Sequence, residues 1–211
     1  MIVMSHRGYW KSAIEKNSPR AFARSFDLGF GTETDLRDCD GRLVVSHDPP
    51  GEHALDADAL LELHARTGPH LPLALNIKAD GLQDLVVAAL RRRRIETAFV
   101  FDMSVPDMLR WSEREVPVFT RHSDIEPEPA LYANARGVWL DAFRADWWTP
   151  ETIRGHLDRG KRVCVVSPEL HGRPHRPVWD RLARSPLARA DGLMLCTDFP
   201  EEACEVFGYG H

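Results

Sequence analysis

Short apolar runs alternate with longer helical segments along almost the whole chain. The short runs, such as those at 163–166 and 193–196, are continuously hydrophobic. Runs of this kind are typical of strands buried on both faces, as in a parallel sheet that is covered by helices. Between them, apolar residues recur with helical spacing. The pattern therefore predicts a regular alternation of strands and helices.

About eight strand–helix units can be assigned, with one extra strand after an Asp40-Gly41 turn near the start. The first helix has Ser18 as a plausible N-cap and Pro19 in its first turn. The predicted strands are 2–5, 31–36, 43–46, 71–77, 97–101, 116–120, 138–140, 162–166 and 192–196. The predicted helices are 18–28, 58–66, 82–93, 106–114, 129–133, 150–158, 178–187 and 201–206.

Eight such units favour a closed (β/α)8 barrel of the α/β class. An open doubly wound sheet is the alternative, but no glycine-rich loop follows the first strand. No linker, internal repeat or low-complexity tract divides the chain. We therefore predict one barrel domain over residues 1–211, without a large insertion domain.

Polar residues recur just after the predicted strands. In a barrel they converge at the C-terminal face, where active sites lie. They are His6, Arg7, Glu33, Asp35, His47, Asp48, Asn76, Lys78, Asp102, Arg121, His122, Asp141, Glu169, His171 and Asp198.

The first cluster of these residues predicts phosphate chemistry assisted by a metal. Glu33 and Asp35 are two apart on a strand, so they share a face and offer oxygen ligands for Mg²⁺ or Ca²⁺; the alternative is an acidic pair in a surface loop. Two imidazoles, those of His6 and His47, titrate near neutrality and can divide the acid and base roles. Arg7 can bind two phosphate oxygens, or else form a salt bridge with one of the two acids.

Composition narrows the class of protein. The net charge of -5 and the pI of about 6.1 argue against nucleic-acid binding as the main function. The four cysteines contain no C-x-x-C pair and no Cys/His spacing typical of zinc, which indicates a reducing compartment, and we predict a cytoplasmic protein. No targeting signal is recognised, and no run approaches the roughly 18 apolar residues of a membrane span. The oligomeric state is left open.

Several motifs together resemble the glycerophosphodiester phosphodiesterase family, which belongs to the phospholipase C-like phosphodiesterases. The resemblance spans nearly the whole chain. The motifs are His6-Arg7-Gly8, Asn17-Ser18, Glu33-x-Asp35, Asp40-Gly41, His47-Asp48, Asn76-x-Lys78 and Asp198-x-Pro200.

The resemblance implies a TIM barrel that binds one divalent cation and hydrolyses a small-molecule phosphodiester to an alcohol and a phosphomonoester. By match of motif, it makes His6 and His47 the acid–base pair. It also makes Arg7 the phosphate contact, with Glu33 and Asp35 as metal ligands.

Two positions depart from the family pattern. Asn76 stands where the family usually has a glutamate ligand, and Lys16 stands where it usually has a glutamate. An amide oxygen can still bind a hard cation, so Asn76 stays a candidate ligand, or else a hydrogen-bonding neighbour of the ligands. Lys78 and Glu169 are candidate substrate contacts; the alternatives are a carboxylate pairing for Lys78 and a solvated loop for Glu169.

These departures keep two other functions open. One is a relative that binds phosphorylated sugars or lipid head groups without turnover. The other is a lyase that forms a cyclic phosphate.

Overall fold

The computed structural model describes residues 1–208. The strands are β1 Ile2–His6, β2 Gly31–Cys39, β3 Arg42–Val45, β4 Leu55–Asp56, β5 Leu73–Ile77, β6 Ala98–Phe101, β7 Phe119–His122, β8 Gly137–Leu140, β9 Arg162–Val166 and β10 Leu193–Thr197. The helices are α1 Pro19–Asp27, α2 Ala57–Thr67, α3 Gln83–Arg93, α4 Val105–Ser112, α5 Pro150–Leu157, α6 Arg176–Ala183 and α7 Pro200–Phe207.

Eight parallel strands close into a barrel, as the sequence predicts. The order around the barrel is β1, β2, β5, β6, β7, β8, β9 and β10, and β10 pairs with β1. Pairing between β6 and β7 is reduced to one bridge, Val100 with Val118, and the Val100 N–H donates to the Pro117 carbonyl at 2.9 Å. The closure between β6 and β7 excludes an open sheet.

An antiparallel extension leaves the barrel at the end of β2. The second half of β2 pairs with β3 from Leu36 to Cys39, through the predicted turn at Asp40 and Gly41. Both turn residues have positive φ, 50° and 75°, which matches a hairpin of the type that Asp-Gly sequences favour. A further short strand, β4, was not predicted. The hairpin carries the chain back to His47 at the barrel mouth.

Alternation along the strands fills the barrel with apolar side chains and then places polar ones above them. Two aromatic stacks lie inside, Phe99 on Phe119 and Phe101 on Trp139, each with ring centroids 3.9 Å apart. Because side chains of one strand face inwards at every second position, the next inward residues after this apolar layer reach the C-terminal mouth. The layer consists of Met4, Ala74, Phe99, Phe101, Phe119, Trp139, Cys164, Val166, Met194 and Cys196.

The fifth unit lacks the helix predicted over 129–133, and that prediction is wrong. The chain forms turns over 130–134 instead, between β7 and β8. Leu131 has a φ of +49°, a left-handed conformation that ends a right-handed helix. Pro127 and Pro129 precede it and cannot donate helical hydrogen bonds.

Other predicted boundaries agree more closely. Ser18 caps α1, its hydroxyl accepting a bond from the Ala21 N–H at 3.3 Å. The helix predicted over 178–187 is observed as α6, which begins two residues earlier and ends at Ala183. A 3-10 turn over Pro186–Arg189 follows it. Within residues 1–208, no helix has the length and apolar character needed to cross a membrane.

A test of the barrel packing comes from Gly137 at the start of β8. A Cβ at this position would lie 2.6 Å from Cε1 of Phe119, inside the stacked aromatic layer. We expect Gly137→Ala to lower the free energy of unfolding by about 1–3 kcal/mol through overpacking. Gly51→Ala is the matched control, because nothing lies within 4 Å of its added Cβ. Urea denaturation measures both, and equal stabilities would contradict the packing described.

Candidate active site

Six of the eight predicted site residues line one cavity at the C-terminal mouth of the barrel, and Asp35 and Glu169 are not among its lining residues. Its volume is about 290 Å³. Larger depressions of about 450 and 520 Å³ lie near the opposite end, but they do not contain the predicted site residues. The mouth cavity is lined by His6, Arg7, Glu33, His47, Asn76, Lys78, Phe101, Asp102, Arg121, Trp139, Asp141, Phe143, Val166, Leu170 and His171.

Two buried acids of β2 lie at this cavity: Glu33 lines it, and Asp35 lies behind the lining side chains of Arg7 and Lys78, with which it pairs. Glu33 is 2% exposed and Asp35 is 1% exposed, which excludes a surface acidic pair. Burial, and after it the negative charge of Asp35, raises the pKa of Glu33 to about 7. The charges of His6, Arg7 and Lys78 act in the opposite direction. Two buried like charges are therefore stable only with positive charge close to them.

Two cationic side chains reach Asp35 from neighbouring strands. Arg7 Nε lies 3.2 Å from Asp35 Oδ2, and Lys78 Nζ lies 3.6 Å from Oδ1. Lys78 also lies 3.3 Å from Asp102 Oδ2. Both side chains thus make the carboxylate pairings considered as alternatives, while still lining the cavity.

The loop after β1 is shaped to approach the acids. Arg7 and Asn17 both have positive φ, 59° and 57°, and the Asn17 N–H donates to the Arg7 carbonyl at 2.9 Å. The Arg7 N–H donates to the Glu33 side chain at 3.2 Å. Asn17 Nδ2 donates to Asp35 at 2.9 Å and its Oδ1 accepts from Thr34. Asn17 is a site residue that the predicted set omitted, although its motif was visible.

Asn76 lies beside the acids with its amide oxygen unpaired. Its Nδ2 donates to Glu33 Oε1 at 3.4 Å. Within residues 1–208, its buried Oδ1 has no hydrogen-bond partner, and neither has Asp35 Oδ1. A buried acceptor without a hydrogen bond costs about 1–3 kcal/mol. Asp35 Oδ1 has the charge of Lys78 at 3.6 Å, so the Asn76 oxygen favours a ligand most strongly.

The residues fit one hard divalent cation. In the described part of the chain, no three His, Cys, Asp or Glu side chains form a group able to hold a metal ion. Two buried carboxylates and an unpaired amide oxygen are nevertheless oxygen donors of the kind Mg²⁺ and Ca²⁺ take, with water or phosphate as further ligands. A cation here would also favour the ionised form of Glu33, whose pKa is raised by burial and by the charge of Asp35.

His6 is held in a defined orientation by Asp198. Its Nδ1 lies 2.8 Å from Asp198 Oδ1, and its Nε2 lies 3.9 Å from Glu33 Oε2. Burial opposes ionisation of Asp198, but the hydrogen bond and charge of His6, with Lys16, hold the pKa of Asp198 below its usual value. A carboxylate accepts the Nδ1–H, so Nε2 is left directed at the cavity.

His47 lines the same cavity from the rim. Its side chain is 42% exposed, and its Nδ1 bonds to Asp48 at 2.9 Å. Arg37 donates to the His47 carbonyl at 3.1 Å, which fixes the backbone after the hairpin. His47 is thus brought to the predicted cavity, but with more freedom than His6.

Glu169 lies behind the cavity wall, not among its lining residues. It accepts bonds from Thr197 Oγ1 at 2.5 Å and from the Asp198 N–H at 3.1 Å, and Ser167 also donates to it. These contacts join the ends of β9 and β10. They place Glu169 next to the partner of His6.

The wall opposite His6 contains further polar residues that follow strands and lie outside the predicted set of site residues. Arg121 pairs with Asp102, lies 3.2 Å from Glu126 and 3.8 Å from Asp141. His171 Nε2 lies 2.7 Å from Asp141 Oδ1. Their position after inward-facing strand residues was the available signal.

Comparison with known proteins identifies the fold. No family model and no curated protein matches the sequence. The glycerophosphodiester phosphodiesterase of Agrobacterium tumefaciens str. C58 superposes with a TM-score of 0.72 at 20% identity, covering 99% of each chain. That of Thermotoga maritima gives 0.64 at 15% identity, covering 96% of each.

A third similar structure is an Oleispira antarctica phosphodiesterase in complex with the product sn-glycerol-3-phosphate. It superposes with a TM-score of 0.66 at 13% identity, covering 99% of this chain and 97% of that one. The chain therefore has the TIM-barrel fold of the glycerophosphodiester phosphodiesterases, as the sequence motifs predict. At such identities the likeness defines the fold, and the activity has to be argued from the site.

The buried acid pair generates a pH prediction for the protein kept free of metal by a chelator. Unfolded Glu33 ionises near its ordinary pKa of 4.5 and folded Glu33 near 7, so the folded state binds the extra proton between these values. The free energy of unfolding of the wild type therefore decreases as pH rises through this interval. Glu33→Gln has no such loss.

Urea denaturation at the two ends of the interval measures this effect. We expect Glu33→Gln to gain stability relative to wild type on going from about pH 4.5 to about pH 7. A difference that is independent of pH would contradict the raised pKa.

Proposed function

We propose that the protein is a divalent-cation-dependent phosphodiesterase that hydrolyses glycerophosphodiester-type substrates to an alcohol and a phosphomonoester. The observation that carries the proposal is the buried Glu33–Asp35 pair, with Arg7 and Lys78 beside it, in a cavity that His6 also lines. Acids for a cation, cations for a phosphate and an oriented imidazole are the groups this reaction needs. The fold shared with known phosphodiesterases supports the same conclusion.

Glu33, Asp35 and Asn76 would hold the cation, Mg²⁺ or Ca²⁺, because they present the buried oxygen donors. When bound, the cation neutralises phosphate charge and polarises the phosphorus–oxygen bonds. Arg7 and Lys78 bind the phosphate oxygens, with the ion pairs to Asp35 holding both side chains at the cavity. Glu169 contributes to substrate binding indirectly: it accepts a hydrogen bond from the Asp198 N–H and so helps to position the residue that orients His6.

His6 and His47 move the protons. One imidazole takes a proton from the attacking water as the new phosphorus–oxygen bond forms. The other gives a proton to the alkoxide as the ester bond breaks. Asp198 holds His6 in the orientation and tautomer that leave Nε2 available.

The setting proposed for this enzyme follows from the same features. The substrate is a small-molecule diester, since a cavity of about 290 Å³ lies at the lower end of the range for small-ligand sites. The negative net charge disfavours nucleic acid as a partner. All four cysteines are free thiols, which suits a cytoplasmic location. Residues 1–211 are proposed to form one domain.

Hydrolysis of bis(p-nitrophenyl) phosphate tests the dependence on a cation. We expect no turnover after chelation and restored turnover on addition of Mg²⁺, Ca²⁺ or Mn²⁺. Glu33→Gln should lower the restored rate at least about 10-fold, because it removes a charged ligand. His70→Gln is the matched control, as His70 is exposed near the opposite end of the barrel. Full activity under chelation would contradict a cation-dependent enzyme.

Replacement of the imidazoles tests proton transfer. We expect His6→Ala and His47→Ala each to lower turnover at least about 100-fold with an unchanged circular dichroism spectrum. Phosphorus NMR of a glycerophosphodiester reaction should show a phosphomonoester. A cyclic phosphate as final product would indicate the lyase, and binding without turnover would indicate the non-catalytic relative. Wild-type activity in either variant would remove that histidine from the mechanism.

A further inference from the structure

The mouth cavity has two chemically different halves. The polar half is lined by Glu33 of the buried acid pair and by Arg7 and Lys78, which pair with Asp35. The other half is formed by β7, β8, β9 and the loops after them, and it is lined by the apolar Trp139, Phe143, Val166 and Leu170 together with Arg121, Asp141 and His171. Both groups of side chains line the same cavity of about 290 Å³, so the second group lies within reach of an alcohol esterified to a phosphate in the polar half.

The hydrogen-bonding groups of this second half are Arg121 and the pair Asp141–His171. Asp141 is buried, and its Oδ1 accepts from His171 Nε2 at 2.7 Å and from the Ala142 N–H at 2.8 Å. The His171 ring lies 4.7 Å from the ring of Phe143. Asp141 therefore fixes the imidazole in the wall. Within residues 1–208, its second ring nitrogen, Nδ1, has no hydrogen-bond partner.

The neighbouring cation is already engaged. All three guanidinium nitrogens of Arg121 face carboxylates, those of Asp102, Glu126 and Asp141. Three acids around one arginine leave no excess positive charge on this wall to attract a second anion. A neutral group that can hydrogen-bond is the ligand that this wall suits.

We propose that His171, held by Asp141, binds a hydroxyl group of the alcohol esterified to the phosphate and so determines specificity for hydroxyl-bearing alcohols. The inference rests on the proposed function for the position of the phosphate. A hydroxyl both donates and accepts, so it can pair with Nδ1 of the imidazole. The aromatic side chains pack against the carbon skeleton. A site built around a hydroxyl discriminates against the analogue that lacks it.

Calorimetric binding of two phosphomonoesters tests this role without requiring turnover. The probes are sn-glycerol 3-phosphate and n-propyl phosphate, which differ only in hydroxyl groups, each titrated with saturating Mg²⁺. We expect wild type to bind glycerol phosphate at least about 10-fold more tightly. His171→Phe keeps the aromatic packing but removes the hydrogen bond, so the preference should disappear. His171→Asn keeps a polar atom near the place of Nδ1 and should retain part of it.

His70→Gln is the control and should keep the full preference. A wild type without preference, or His171→Phe with the wild-type preference, would overturn the inference. Turnover of bis(p-nitrophenyl) phosphate, measured separately, reports on the proposed function. A protein that prefers glycerol phosphate through His171 but hydrolyses no diester would refute catalysis and leave the role of His171 standing.

Discussion

The structure of the site depends on the burial of two like charges on one strand. Glu33 and Asp35 are both almost completely removed from water, and two carboxylates so placed are tolerated only if opposite charges and hydrogen-bond donors surround them. Arg7 from the end of β1 and Lys78 after β5 supply charge, and Asn17 supplies a donor. Burial, and after it the charge of Asp35, still raises the pKa of Glu33 despite these cations, and a bound metal ion would favour its ionised form.

The register between neighbouring strands positions the polar side chains of the site. β2 lies between β1 and β5, and parallel pairing sets His6 opposite Glu33 and Asp35 opposite Asn76. Side chains at such paired positions point the same way from adjacent strands. The apolar layer beneath excludes water from below, so the polar side chains meet at one mouth. A shift of one residue in either pairing would send the site to the outside of the barrel.

Much of this arrangement follows from sequence patterns, because alternation and strand ends are local signals. The runs before His6 and His47 identify β1 and β3, and the acids two residues apart imply a shared face. Contacts between distant segments carry no such signal: His6 and Asp198 are 192 positions apart. The helix predicted over 129–133 failed because the pattern does not reveal the left-handed backbone at Leu131. Glu169 has a suitable residue type, but its contacts turn it towards Thr197.

The central claim is that the acid pair of β2 is a cation site facing a phosphate. Anomalous diffraction from crystals grown with Mn²⁺ and sn-glycerol 3-phosphate tests it most directly, because the manganese signal locates the ion independently of activity. The account predicts one strong peak within ligand distance of Glu33 and Asp35, with the phosphate next to Arg7. A phosphate bound in the cavity with no peak between these acids, or a peak at another site alone, would contradict it.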